Sequence, residues 1–192
     1  RKLHAAWGDS DIAYQRSLVP SGVSSAPYRL TVWKGERACA LIMLWSAEEK
    51  KRVECKIGDF KSDGAQLPSA VASSYFVRYT LGDQLTPEFM QTHRYKKGET
   101  PSMLVPDMLD SLSSIYMAAR TARPVWVSIN VPQDAKPGLY KTNVEITCHR
   151  DKVLLPLELE VVNHTLPPPE KWTYHLDLWQ HPSAVARAYG LE

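Results

Sequence analysis

A period of two runs through the last third of this chain and restricts what it can fold into. Val125, Val127, Ile129 and Val131 alternate with Trp126, Ser128 and Asn130, and Tyr140, Thr142, Val144, Ile146 and Cys148 alternate with Lys141, Asn143, Glu145 and Thr147. After a break at residues 149–152 the rhythm returns in Leu155, Leu157, Leu159 and Val161, with Pro156, Glu158 and Glu160 between them. Successive side chains of a strand point to opposite faces, so each run places one face in a core and the other in water. Earlier strands are expected at residues 28–33, 37–45, 52–57 and 74–81. Some seven short strands with Pro and Gly turns between them predict an all-β fold, an antiparallel two-sheet β-sandwich. Residues 140–148 and 154–161 are expected to pair as a hairpin across a short turn. The segment Pro132-Gln-Asp-Ala-Lys-Pro-Gly138 is expected to turn between two strands, with proline presetting φ and Gly138 free to take a positive one.

Two segments break the pattern. Residues 37–45 are apolar on both faces, with Ala38, Ala40, Ile42 and Leu44 on one and Cys39, Leu41, Met43 and Trp45 on the other. Such a strand is either central in the sandwich or buried against a neighbouring domain. Residues 82–121 have little strand character and contain a charged stretch, His93-Arg94-Tyr95-Lys96-Lys97. They read as a long, partly helical insertion, and a segment of that length is functional or an interface. Within it Asp107 and Asp110 sit three apart, which at helical spacing puts them on one side of an amphipathic turn beside Met108, Leu109 and Leu112. Acids in that setting cap or solvate the turn rather than act in catalysis.

Composition narrows the function classes. Of 192 residues, 44% are hydrophobic and 23% charged, an ordinary globular balance. Net charge is +2 with no Lys/Arg block, so nothing points to nucleic acid or an anionic membrane. No apolar run approaches the ~20 residues of a membrane span. The chain opens at Arg1 with neither Met nor a hydrophobic leader, which a removed signal peptide and a trimmed sequence would share. Cys39, Cys55 and Cys148 are widely spaced in apolar patterns and read as buried thiols, with a Cys39/Cys55 disulfide as the alternative. Without a CxxC or clustered His, neither a metal site nor a cofactor is expected. His4, Asp9 and Ser10 lack the Gly-x-Ser-x-Gly context of a nucleophile elbow.

The end of the chain changes character. Pro167, Pro168 and Pro169 cannot donate ladder hydrogen bonds and form a stiff spacer. A short apolar strand is expected at residues 174–179, then a helix at 183–189 closed by Gly190. One strand and one helix cannot bury a core, so the expected division is a sandwich module at 1–166, a linker at 167–171 and the opening of a second domain at 172–192. An unpaired strand there is expected to dock near Trp45 or Trp126, or to pair with a second molecule as a dimer.

Several ordered motifs carry a family resemblance. Val32-Trp-Lys-Gly-Glu-Arg37, Phe76-Val-Arg-Tyr79, Leu104-Val-Pro-Asp-Met-Leu-Asp110, Arg123-Pro-Val-Trp-Val-Ser-Ile-Asn-Val-Pro132, Ala135-Lys-Pro-Gly-Leu-Tyr140 and His175-Leu-Asp-Leu-Trp-Gln180 follow one another as in proteins similar to glycoside hydrolase family 123, the bacterial β-N-acetylgalactosaminidase group. The resemblance runs from about residue 28 to 189. It implies an N-terminal sandwich ahead of a catalytic (β/α)8 barrel, placed in the periplasm or at the cell surface. It also implies substrate-assisted, retaining hydrolysis, in which the sugar's acetamido oxygen attacks its own anomeric carbon beside a consecutive Asp-Glu pair. This chain contains no Asp-Glu dipeptide, so the 192-residue chain is expected to be inactive and to support a barrel that acts on N-acetylgalactosamine-containing glycans. If residues 174–179 are the first barrel strand, His175, Asp177 and Trp179 share one face and Gln180 lies at its C-terminal end, where such barrels hold substrate. Those side chains either fill the barrel interior or reach the glycan. Six Trp and nine Tyr leave a second reading, a carbohydrate-binding module with an exposed aromatic platform, although Trp33, Trp45 and Trp126 all have packing explanations.

Overall fold

The computed structural model describes residues 2–82, 103–173 and 182–190. Its strands are β1 (His4–Gly8), β2 (Tyr28–Lys34), β3 (Arg37–Ser46), β4 (Lys50–Ile57), β5 (Phe60–Ser62), β6 (Ala65–Leu67), β7 (Ala72–Gly82), β8 (Met103–Asp110), β9 (Ile115–Met117), β10 (Thr121–Asn130), β11 (Gly138–Cys148) and β12 (Asp151–Thr165), followed by a short helix α1 (Pro182–Ala188). They form a β-sandwich. One sheet has the order β1-β3-β10-β7-β8; the other runs β2-β12-β11-β4-β9, with β5 also paired to β11 and β6 to β5. All pairings are antiparallel except β12 with β2, which are parallel.

The alternation read from the sequence is the division between core and solvent. Val125, Val127 and Ile129 of β10 are fully buried and meet Val144, Ile146, Leu155, Leu157 and Leu159 of the opposite sheet. Each such aliphatic side chain contributes on the order of 1.5 to 3 kcal/mol by leaving water. The hairpin of β11 and β12 keeps one register from Gly138 opposite Val161 to Cys148 opposite Asp151. His149 takes the left-handed conformation at its tip, φ 52°. Gly138 at the start of β11 has φ 150°, with the Ser62 hydroxyl 3.1 Å from where a Cβ would stand. Pro156 leaves the register with β11 unbroken and precedes Leu157, where pairing with β2 begins; its carbonyl accepts the indole N–H of Trp7 at 3.1 Å.

Two expectations are corrected. Among the described residues of 82–121 there is no helix: β8 and β9 lie there instead. Pairing with β7 decides this for β8, since Val77 opposes Leu109 and Thr80 opposes Val105 across the sheet edge. A register shift at Arg78 and Tyr79 absorbs Asp107, and Pro106 is tolerated because β8 is an edge strand. Asp107 and Asp110 therefore do not share a helix face. The second correction concerns the thiols. All three are free, as expected, and the alternative Cys39/Cys55 disulfide is not formed; the correction is to burial, since only Cys148 is fully buried and Cys39 and Cys55 are half-buried. Burial pushes the Cys55 thiol up to about 11, against a smaller opposing effect from its hydrogen bond with Ser74.

β1, which carries no alternation, clasps the sheets together. The Trp7 ring stacks on Tyr28 at 5.2 Å, and the Leu3 amide donates to the Asp151 carboxylate at 3.0 Å. Lys50 Nζ lies 2.6 Å from the same carboxylate, so the Lys50 hydrogen bond first, and the Leu3 amide next, hold Asp151 below the usual carboxylate range. A depressed carboxyl stabilises the fold fully above its unfolded value near 3.9 and loses that contribution as pH falls through the folded value. Asp151→Asn is expected to flatten the acid limb of the stability curve below about pH 4, read by chemical denaturation at several pH values. An unchanged acid limb would show that the clasp does not depend on this charge.

Candidate functional site

β3 lies between β1 and β10, and its two apolar faces meet different partners. Ala38, Ala40, Ile42 and Leu44 face the core between the sheets. Leu41 and Met43 face outward into a second cluster with Tyr14 and Ala122, joined by Val23, Trp45 and Trp126. Its cover is the chain between β1 and β2, residues 9–27. That segment leaves β1 and returns to it, as Trp7 and Ser24 exchange backbone hydrogen bonds of 2.8 and 2.9 Å.

Tyr14 is the pin of this cover. Its hydroxyl accepts the Asp9 amide at 3.0 Å, and its carbonyl accepts the Tyr79 hydroxyl at 2.9 Å. Gly8 makes room for it: a Cβ there would stand 3.0 Å from Met43 Cγ and 3.2 Å from the Tyr14 hydroxyl. Burial pushes Tyr79 up to about 12, so its hydroxyl stays a donor across the working range of pH. Arg123 lies 5.9 Å from the Tyr79 ring centroid and donates to the Val77 carbonyl at 3.1 Å. Burial, then the nearby Arg16 charge, draws the Arg123 guanidinium down from its ordinary value.

The cover is incomplete, and the gap is the candidate site. A cleft of about 380 Å³ lies between residues 10–13 and β8, with Leu41, Val77, Pro124 and Trp126 among its lining and Asp11 and Asp107 at its polar margin. Ile12 and Leu109, which also line it, are 47% and 49% exposed. Its polar lining consists of the Asp11 and Asp107 carboxylates and the Ser10 side chain. Asp110 is engaged by Arg78, with Nε and Nη2 contacts of 2.9 and 2.8 Å. His4 stacks on Trp45 at 5.3 Å, and the Asp9 carboxylate accepts the Asp11 amide.

The remaining sequence candidates fall elsewhere. The expected strand at 174–179, with His175, Asp177, Trp179 and Gln180, and its expected docking lie outside the described residues. The expected helix is present as α1, and Gly190 after it takes φ 62°. Trp33, expected to be accounted for by packing, is 43% exposed on β2, with its ring 4.1 Å from that of His164. Sequence reasoning missed Tyr14, whose segment shows no period, although the outward apolar face of β3 implied some cover.

The sequence model of the glycoside hydrolase 123 N-terminal domain matches residues 7–148. The chain belongs to that family. The whole chain superimposes with a TM-score of 0.82 and 21% identity on a family 123 glycoside hydrolase from Clostridium perfringens, whose structure is described in terms of glycolipid glycan hydrolysis. This chain spans 32% of that one, and at this identity the likeness is one of fold. The CooA pilin subunit of enterotoxigenic Escherichia coli matches over 88% of this chain and 100% of its own at 11% identity, but its TM-score of 0.38 is too low to bear on function. No curated protein sequence matches.

Two substitutions probe the pin. Gly8→Ala is expected to destabilise the sandwich by about 1 to 3 kcal/mol through overpacking against Met43 and Tyr14. Tyr79→Phe should cost about 1 kcal/mol and speed amide exchange at Asp9. Wild-type exchange at Asp9 in the Phe variant would mean that the Tyr79 bond does not hold residues 9–27.

Proposed function

We propose that this chain is a non-catalytic N-terminal domain that supports the catalytic barrel of a glycoside hydrolase acting on N-acetylgalactosamine-containing glycans. Membership of the glycoside hydrolase 123 N-terminal domain family is the observation that carries the reading. The lack of an Asp-Glu dipeptide and the engagement of Asp110 by Arg78 agree with it. In this reading hydrolysis belongs to a barrel joined after the prolines, with His175, Asp177, Trp179 and Gln180 on its first strand near the substrate, and the protein works in the periplasm or at the cell surface.

Trp33 favours one second reading. An exposed indole on an edge strand offers a face on which a sugar ring can stack, as in a carbohydrate-binding module. Calorimetry with N-acetylgalactosamine separates the two: a support domain gives no heat of binding, whereas a module gives heat that Trp33→Ala abolishes.

The 192-residue chain is expected to hydrolyse a chromogenic aryl N-acetylgalactosaminide no faster than buffer, while the same chain joined to its barrel turns it over. Turnover by the chain alone that survives purification and disappears in Asp107→Asn or Asp110→Asn would overturn the proposal.

A further inference from the structure

We infer that the catalytic domain seats an apolar side chain, flanked by a basic one, in the cleft between residues 10–13 and β8; this rests on the reading of the chain as a support domain. Three observations choose that occupant. The first is chemical. Leu41, Val77, Pro124 and Trp126 give the cleft an apolar floor, Ile12 and Leu109 stand half-exposed beside it, and Asp11 and Asp107 make no ion pair among the described residues. An apolar anchor with a neighbouring Lys or Arg complements both.

The second is the route of the chain. The Leu166 amide donates to the Lys34 carbonyl at 2.8 Å and the Gly35 amide to the Val131 carbonyl at 3.0 Å, so β12 ends beside the start of β3 and the end of β10. Leu41 lies four residues along β3 from Arg37, roughly 13 Å at the rise of a strand. Pro167, Pro168 and Pro169 stiffen the exit, and the Trp172 indole donates back to the Pro167 carbonyl at 2.7 Å. The third is scale. The superimposed region is 32% of the Clostridium perfringens chain, so the larger part of that protein lies outside it.

The test compares amide exchange at residues 10–13 and 107–109 in the 192-residue chain and in the full-length protein that carries the barrel. Protection in the full-length protein is expected to rise on the order of tenfold. Leu109→Arg should return it to the value of the shorter chain, whereas Leu154→Arg, equally exposed at 49% on the other sheet, should not. Equal exchange in the two proteins, with hydrolysis intact, overturns the docking face and leaves the functional reading standing. A full-length protein that does not hydrolyse N-acetylgalactosaminides overturns the functional reading, while protection that still rises in it keeps the docking face.

Discussion

The architecture depends on burying β3 from two sides. A strand with Ala40, Ile42 and Leu44 on one face and Leu41 and Met43 on the other cannot sit in a sandwich with one wet side. The opposite sheet covers the first face. The second requires a layer that a two-sheet fold does not supply, and residues 9–27 provide it around Tyr14. Gly8, the Tyr79 hydroxyl and the return of Ser24 to Trp7 all serve that placement. The cleft is the part of the layer those residues do not reach.

Charge plays a smaller part. Arg29 with Glu158 and Lys152 with Glu145 pair across strands on the outward face of the other sheet. Exposed pairs of this kind contribute about 0 to 1 kcal/mol each. Lys50 with Asp151 differs because the ammonium is largely buried and the carboxylate also holds the Leu3 amide. Removing Asp151 takes a charge partner from a largely buried ammonium, which costs more than breaking an exposed pair. This pair fastens the chain just ahead of β1, a strand buried along nearly its whole length.

Legibility followed period and length. β2, β3, β4, β7, β10, β11 and β12 were expected within a few residues, because each has at least seven residues and a face committed to the core. β5, β6 and β9 have three residues each, too few for alternation to be distinguished from chance. β1 reads His-Ala-Ala-Trp-Gly, whose small residues are buried on both sides and therefore show no period. β8 misled through Met103, Leu104, Met108, Leu109 and Leu112, apolar at helical spacing; its strand form is imposed by β7. The site was half visible: the outward apolar face of β3 and Trp126 were in the pattern, whereas Tyr14 and the closing role of Ile12 depend on where an irregular segment returns.

The bond from the Trp7 indole to the Pro156 carbonyl joins residues 149 apart in sequence. During synthesis β1 precedes its partners: β3 must emerge before β1 can pair, and β12 before its indole can be fastened. Among the described strands of the sandwich, β1 is thus made well before β12, and the bond that fastens its indole can close only once residue 156 has been synthesised. Contacts of such separation also slow folding, since loop closure must precede the burial that rewards it.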